Sequence, residues 1–258
     1  MGQCTNPRSI DTKRTPKRFI LVRCGKCAEC LKHYVSTWTT RLEIHGRDYS
    51  FCDFVTLTYS DDNLPSNGVS LRDVQLFFKR IRKFYSSSDF ELKFSYVLIS
   101  EYGPETHRPH YHGLFYSNIK IDYEYFWKLG FVTDELILPE RINYVLSYHI
   151  LKDLNVPDGK NKNFRCMSKS IGLDAFDKYE LKNAQNNDWT WLLNNSLQVS
   201  PLHRYFRKKH GIDLSDKEVE TKIPPLSSFQ QVQDFNSASE ITSNIYKEKK
   251  FRKKTNNL

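Results

Sequence analysis

The chain has 258 residues, long enough to bury a full hydrophobic core, so folding does not depend on metal or disulfides. No stretch approaches the roughly 20 consecutive apolar residues that a membrane span needs. Lysine plus arginine number 39 against 30 acidic residues, a formal charge of +9, and 14% of residues are aromatic. Cations that neutralise phosphates and rings that stack on unpaired bases suit a nucleic-acid partner, although the same composition is compatible with a merely basic protein.

The amino terminus, MGQCTNPRSI, is polar, without the hydrophobic stretch of a secretion signal. Asn6 stands where a myristoylation signal needs Ser or Thr. An intracellular chain without disulfides is expected. Residues 1–30 lack apolar periodicity and hold four of the six cysteines. Cys24, Cys27 and Cys30 are spaced C-x-x-C-x-x-C, and Cys4 is a candidate fourth ligand. Four thiolates would make a closed structural zinc site. The alternative is a set of reduced thiols beside a helix start. Cys52 and Cys166 read as ordinary buried thiols.

LKHYVSTWTTRLEIHG spaces Tyr34, Trp38, Leu42 and Ile44 as one face of a helix ending at Gly46. YSFCDFVTLTYS reads as a buried strand, and DDNLPSNG as a turn. SLRDVQLFFKRIRKFY predicts a helix with Ser70 as N-cap, an apolar face through Val74, Phe77, Phe78, Ile81 and Phe84, and a basic face carrying Arg80, Arg82 and Lys83. LKFSYVLISEYG and PHYHGLFYSNI form a hairpin joined by PETHR. DYEYFWKLG predicts a short helix, FVTDELIL a strand, and PERINYVLSYHILKDL a helix with Pro139 near its first turn. SPLHRYFRKKHG predicts a short basic helix with Arg204 and Arg207, followed by Gly211. Six basic residues between Lys247 and Lys254 make the end either a phosphate-binding tail or a solvated terminus. The order favours an α+β fold, an antiparallel sheet with helices packed on it. The expected organisation is an amino-terminal cysteine segment and helix (1–48), a core (49–155), an extension of that core (156–215), and a tail (216–258).

Within ETHRPHYHGLFY, His110 and His112 are two apart on a strand and share a face, so both can grip one divalent cation. Glu101 closes the preceding strand and can supply a carboxylate; His107, in the loop, is the competing ligand. An isolated His-x-His is otherwise a polar strand face satisfied by hydrogen bonds. On the RINYVLSYHILKDL helix, Tyr144, Tyr148 and Lys152 fall within roughly 80 degrees of arc, with Ile142, Val145, Leu146 and His149 clustered elsewhere. Tyrosines so spaced are either packing residues or, beside a metal, nucleophiles whose phenolate Lys152 can stabilise. Mg²⁺ or Mn²⁺ on the histidines would polarise a phosphodiester for attack.

Three motifs, FVTLTYS, PHYHGLF and YVLSYHILK, resemble in order those of the HUH single-strand DNA endonucleases that initiate rolling-circle replication. The chain is most similar to the initiators of microviruses of the gokushovirus-like group, in which CGKCAEC and CMSKSIGLDAF also have counterparts. The resemblance implies an RRM/ferredoxin-like α+β fold, His110 and His112 as metal ligands with Glu101 favoured over His107, and two alternating tyrosine nucleophiles. It further implies nicking of origin single-stranded DNA through a 5′-phosphotyrosine link in the bacterial cytoplasm, and later rejoining. Without a G-x-x-x-x-G-K-[ST] phosphate loop, unwinding is expected from a host helicase and replication machinery. The alternatives are a plasmid mobilisation nickase and a non-catalytic basic DNA-binding protein.

Overall fold

The computed structural model describes residues 4–11, 19–87, 91–150, 156–186, 191–193 and 199–212. The chain divides into two compact units, residues 41–181 and residues 1–40 with 182–258. The basic tail expected at 216–258, and Lys152, lie outside the described residues. Among those described, no helix is long and apolar enough to cross a membrane.

The elements run β1 (Arg8–Asp11), β2 (Phe19–Val22), α1 (Ala28–Gly46), β3 (Phe51–Thr58), α2 (Leu71–Tyr85), β4 (Phe94–Tyr102), β5 (Pro109–Ser117), α3 (Tyr123–Phe126), β6 (Val132–Leu136), α4 (Pro139–Ile150) and β7 (Arg165–Met167). After these come α5 (Leu173–Tyr179), α6 (Leu181–Asn186), β8 (Trp191–Leu193), β9 (Val199–Pro201) and α7 (Arg204–Lys209). In the 41–181 unit, β6-β3-β5-β4-β7 form one five-stranded sheet whose every pairing is antiparallel. The α+β class expected from the order of elements is the one observed.

Strand alternation sends residues to two faces, and in this sheet both are covered. One face presents Val55, Leu57, Tyr59, Leu98, Tyr102, Tyr111 and Phe115 to Val74, Phe77, Phe78 and Ile81 of α2 and to Phe126 and Trp127 around α3. The α2 helix starts where Ser70 caps it, its hydroxyl accepting from the Asp73 amide at 3.2 Å. Phe78 stacks on Tyr96 with centroids 3.7 Å apart. Gly113 is required beneath Phe115, because a Cβ there would stand 2.2 Å from that ring. A truncation such as Phe77→Ala falls in the class that costs about 3–5 kcal/mol.

The other face carries Phe54, Thr56, His110, His112, Leu114, Tyr116, Val97, Ile99 and Glu101, as the cross-strand register dictates. The last turns of α1 and the whole of α4 belong to this side. Leu42 and Ile44 of α1 and Ile142, Val145 and Leu146 of α4 are all buried, the α4 set being the apolar face expected from spacing. Arg41 donates to the Ile171 carbonyl at 2.7 Å, and Arg47 pairs with Glu180 beyond α5. Beyond α4 the same unit continues through β7, which supplies the fifth strand, and through α5.

His45 is buried on this side, its Nδ1 accepting from the Gly172 amide at 3.1 Å and its Nε2 bonded to the Ser95 hydroxyl. Burial, only partly offset by Asp48, lowers its pKa to about 4 from 6.5. The unfolded chain therefore binds this proton first. The stabilisation is complete above pH 6.5 and is lost as pH falls from there through about 4, by up to roughly 3 kcal/mol. Urea unfolding midpoints across that window should drop more steeply for the native chain than for His45→Gln; parallel profiles would contradict the assignment.

Candidate active site

The central strand β5 places His110 and His112 on the α4 side, while Tyr111 between them points into the α2 layer. There the Tyr111 hydroxyl meets Tyr59 at 2.8 Å and accepts from the Ser70 amide at 2.7 Å, tying β5 to the start of α2. Burial raises the Tyr111 phenol to about 12, so it stays a neutral structural group. The middle position of His-x-His thus fixes the strand that its neighbours use.

The hairpin register sets Glu101 directly opposite His110, and Thr58 opposite His110 on the other side. Glu101 is 6% exposed, and His112 is 9% exposed. His112 Nε2 lies 3.4 Å from Glu101 Oε2, and Nδ1 lies 3.0 Å from the Thr56 hydroxyl. With the ring proton on Nδ1 and donated to Thr56, Nε2 has its lone pair directed toward the carboxylate side. The His110 Nδ1 is buried with no hydrogen-bond partner. A buried imidazole nitrogen without a partner, a second imidazole oriented by a hydroxyl, and a buried carboxylate are a donor set that suits a divalent cation. The rings of the two histidines are 6.3 Å apart, and His110, His112 and Glu101 do not all converge as tightly as the cysteine set described below.

From α4, Tyr144 reaches into this arrangement. Its hydroxyl donates to Glu101 Oε2 at 3.0 Å. Its ring stands edge-on to His112 at 5.1 Å and to Phe54 at 6.3 Å, while Phe54 lies parallel to the His112 ring at 5.8 Å. Arg141 sits 4.9 Å over Phe54 and pairs with Glu135. Tyr148 lies one turn further along α4, and its side chain is outside the described set. His107 is an exposed loop residue with φ of 51°, and Glu101, not His107, is beside His112.

Of the basic candidates, Arg80 donates to the Phe126 carbonyl at 3.1 Å, Arg82 lies 5.8 Å over both Phe78 and Tyr96, and Lys83 is exposed. All three are on α2, the layer opposite the histidines. Arg204 and Arg207 are on α7 in the other unit. Cys4, Cys24, Cys27 and Cys30 come together in that same unit.

Three contributions were not read from sequence: Thr56 as the partner of His112, Phe54 as its stacking platform, and Arg108. The Arg108 guanidinium donates to the Tyr59 carbonyl at 2.7 Å and pairs with Asp61, which pins the hairpin loop to the end of β3. The threonines of FVTLTYS carried the signal, since alternate residues of one strand face the same side as the histidines across from them.

Residues 52–153, which span β3 to α4, match the family profile described as replication-associated protein ORF2/G2P. The chain is 30% identical over 185 residues to the replication-associated protein ORF2 of Spiroplasma virus 4, covering 60% of this chain and 57% of that protein. A second, the replication-associated protein VP4 of Bdellovibrio phage phiMH2K, is 30% identical over 97 residues, covering 36% of this chain and 31% of that protein. The chain therefore spans somewhat more than half of one relative and about a third of the other. No solved structure matches. The profile match contains every element that positions the histidines, Glu101 and Tyr144.

Proposed function

We propose that this replication-associated chain initiates rolling-circle replication by nicking single-stranded origin DNA through a tyrosine, holding the 5′ end as a phosphotyrosine, and later rejoining the displaced strand. The observation that carries the reading is the Tyr144 hydroxyl seated on Glu101 beside His112. In that position the phenol is already paired with a base.

His110, His112 and Glu101 would hold a divalent cation, Mg²⁺ or Mn²⁺, which supplies Lewis-acid polarisation of the phosphodiester when bound. Tyr144 provides the attacking oxygen, which bonds to phosphorus as the bond from phosphorus to the 3′ oxygen breaks. Its proton passes toward Glu101, and the departing 3′ oxygen leaves as a hydroxyl after taking up a proton. The phosphodiester is exchanged rather than hydrolysed, so resealing by attack of a 3′ hydroxyl needs no ATP. Tyr148, one helical turn away, is the second nucleophile that a full round of strand transfer needs, and Lys152 is the expected charge partner. Strand separation would fall to a host helicase.

Thr56 holds the His112 ring by its Nδ1, so its contribution is to orientation. Thr56→Val keeps the volume and deletes the hydroxyl. The metal concentration giving half-maximal nicking should then rise roughly 10- to 100-fold. An unchanged metal titration would remove Thr56 from the site.

The reading itself is tested with labelled phage-origin oligonucleotide and Mg²⁺ or Mn²⁺. An SDS-resistant adduct whose DNA-linked peptide contains residues 144–148 is the expected product. Binding without adduct across suitable origins favours a DNA-binding protein that does not cut.

A further inference from the structure

The first strand of the β1–β2 hairpin lies open to solvent. Every residue of β1 is exposed, and among the described apolar side chains of the hairpin Ile10 and Leu21 are 45% and 74% exposed while Val22 is half-buried. An isolated two-stranded hairpin is marginal in water. Nonetheless, β1 and β2 are fully paired from Arg8 with Val22 to Asp11 with Phe19.

At the open end of this hairpin, four sulfurs converge. The Sγ atoms of Cys4, Cys24, Cys27 and Cys30 all lie within 4.8 Å of one another, the only such group of metal-ligating side chains among the described residues. Cys24 and Cys30 are 3.8 Å apart and Cys27 and Cys4 are 3.9 Å apart. Those separations decide the chemistry. A disulfide would require about 2.05 Å. Four thiolates placed about 2.3 Å from one zinc at tetrahedral angles stand about 3.8 Å apart along each edge.

The backbone is arranged for anionic sulfur as well. The amides of Lys26 and Cys27 donate to Cys24 Sγ at 3.4 and 3.3 Å, and the Cys24 amide donates to Cys4 Sγ at 3.3 Å. Gly25, with φ of 72°, allows the tight turn that presents those amides. Cys27 immediately precedes α1 and Cys30 lies in its first turn, where the helix dipole favours negative charge.

We propose that Cys4, Cys24, Cys27 and Cys30 bind one zinc ion in a closed four-sulfur site that clamps both ends of the β1–β2 hairpin to the first turn of α1. Binding converts four thiols to thiolates and releases four protons, leaving a site of net charge −2. With all four positions taken by protein, the ion has no open position for substrate, so its role is structural. This site is independent of the histidine and tyrosine chemistry.

The test uses the full chain, purified from zinc-supplemented cells without chelator. One tightly held zinc per chain is expected. Cys27→Ser and Cys4→Ser should each lose it, whereas Cys52→Ser should keep it. Because a cysteine variant can also fail to fold, the native chain stripped of metal is reloaded with Co²⁺. The sulfur-to-cobalt charge-transfer absorption and strong visible bands of tetrahedral thiolate coordination should appear, with the same intensity in Glu101→Gln. Absence of zinc from the native chain together with absence of those bands overturns the proposal. So does zinc retained by Cys27→Ser and Cys4→Ser alike.

Discussion

Replacing Tyr144 and Tyr148 together by phenylalanine is expected to abolish the covalent protein–DNA adduct, a loss on the order of 10⁴ or more in rate. The phenylalanine at 144 keeps the ring edge-on to His112 and Phe54 and deletes the hydroxyl that bonds Glu101. The cost to stability is about 1 kcal/mol, so the variant folds and the comparison is fair. Tyr144→Phe alone should shift the DNA-linked peptide to Tyr148 and slow the first cut, because the hydroxyl held on Glu101 is gone. If the two phenols alternate as proposed, rejoining should fail in either single variant. Adduct formation by the double variant at native rate would exclude both tyrosines, and the reading with them.

The residues that made this site visible in sequence are those whose pattern is local. The period-two alternation of β5 put both histidines on one face, and helical spacing separated Ile142, Val145 and Leu146 from Tyr144. The capping serine and apolar stripe of α2 likewise announce themselves within one segment. What was not legible depends on partners far along the chain. β7 is three residues long, and its RCM has no alternation of its own. It is a strand because β4 offers an edge, pairing Val97 with Met167 and bonding Ser100 to Phe164. The β1–β2 hairpin is not legible for a related reason, since every residue of β1 is exposed and its RSID shows no buried face. Within the site, the hairpin foretold Glu101 next to the histidines, and the register sets it opposite His110. Its close approach to His112 is diagonal, and its bond to Tyr144 depends on how α4 packs on β4 and β5. No spacing rule in the sequence encodes that packing. The basic stripe of α2 illustrates the converse: Arg80, Arg82 and Lys83 were legible as a cationic face, but not that two of them are engaged in the layer opposite the histidines.

Glu101→Gln is the substitution that separates what the carboxylate does for the proton from what it does for a cation. Glutamine has nearly the same volume, so the buried position between Tyr144 and His112 stays filled. Its amide can still meet the phenol, but it offers no negative charge and cannot accept the phenolic proton. Loss of a positioned base slows proton transfer by roughly 10²–10⁴-fold, and that deficit persists at saturating metal. Loss of an anionic ligand instead raises the metal concentration required, and excess Mn²⁺ recovers the rate. Since Glu101 Oε2 faces both the Tyr144 hydroxyl and His112 Nε2, both effects are expected together. The nicking rate at saturating Mn²⁺ should remain at least 10²-fold below native, and half-saturation should move to higher metal. A full rescue by metal would leave Glu101 as a ligand only, and the base would then have to be sought elsewhere around the Tyr144 phenol. An unchanged rate at every metal concentration would mean that the hydrogen bond from Tyr144 is packing, and that His110 and His112 meet their cation without it.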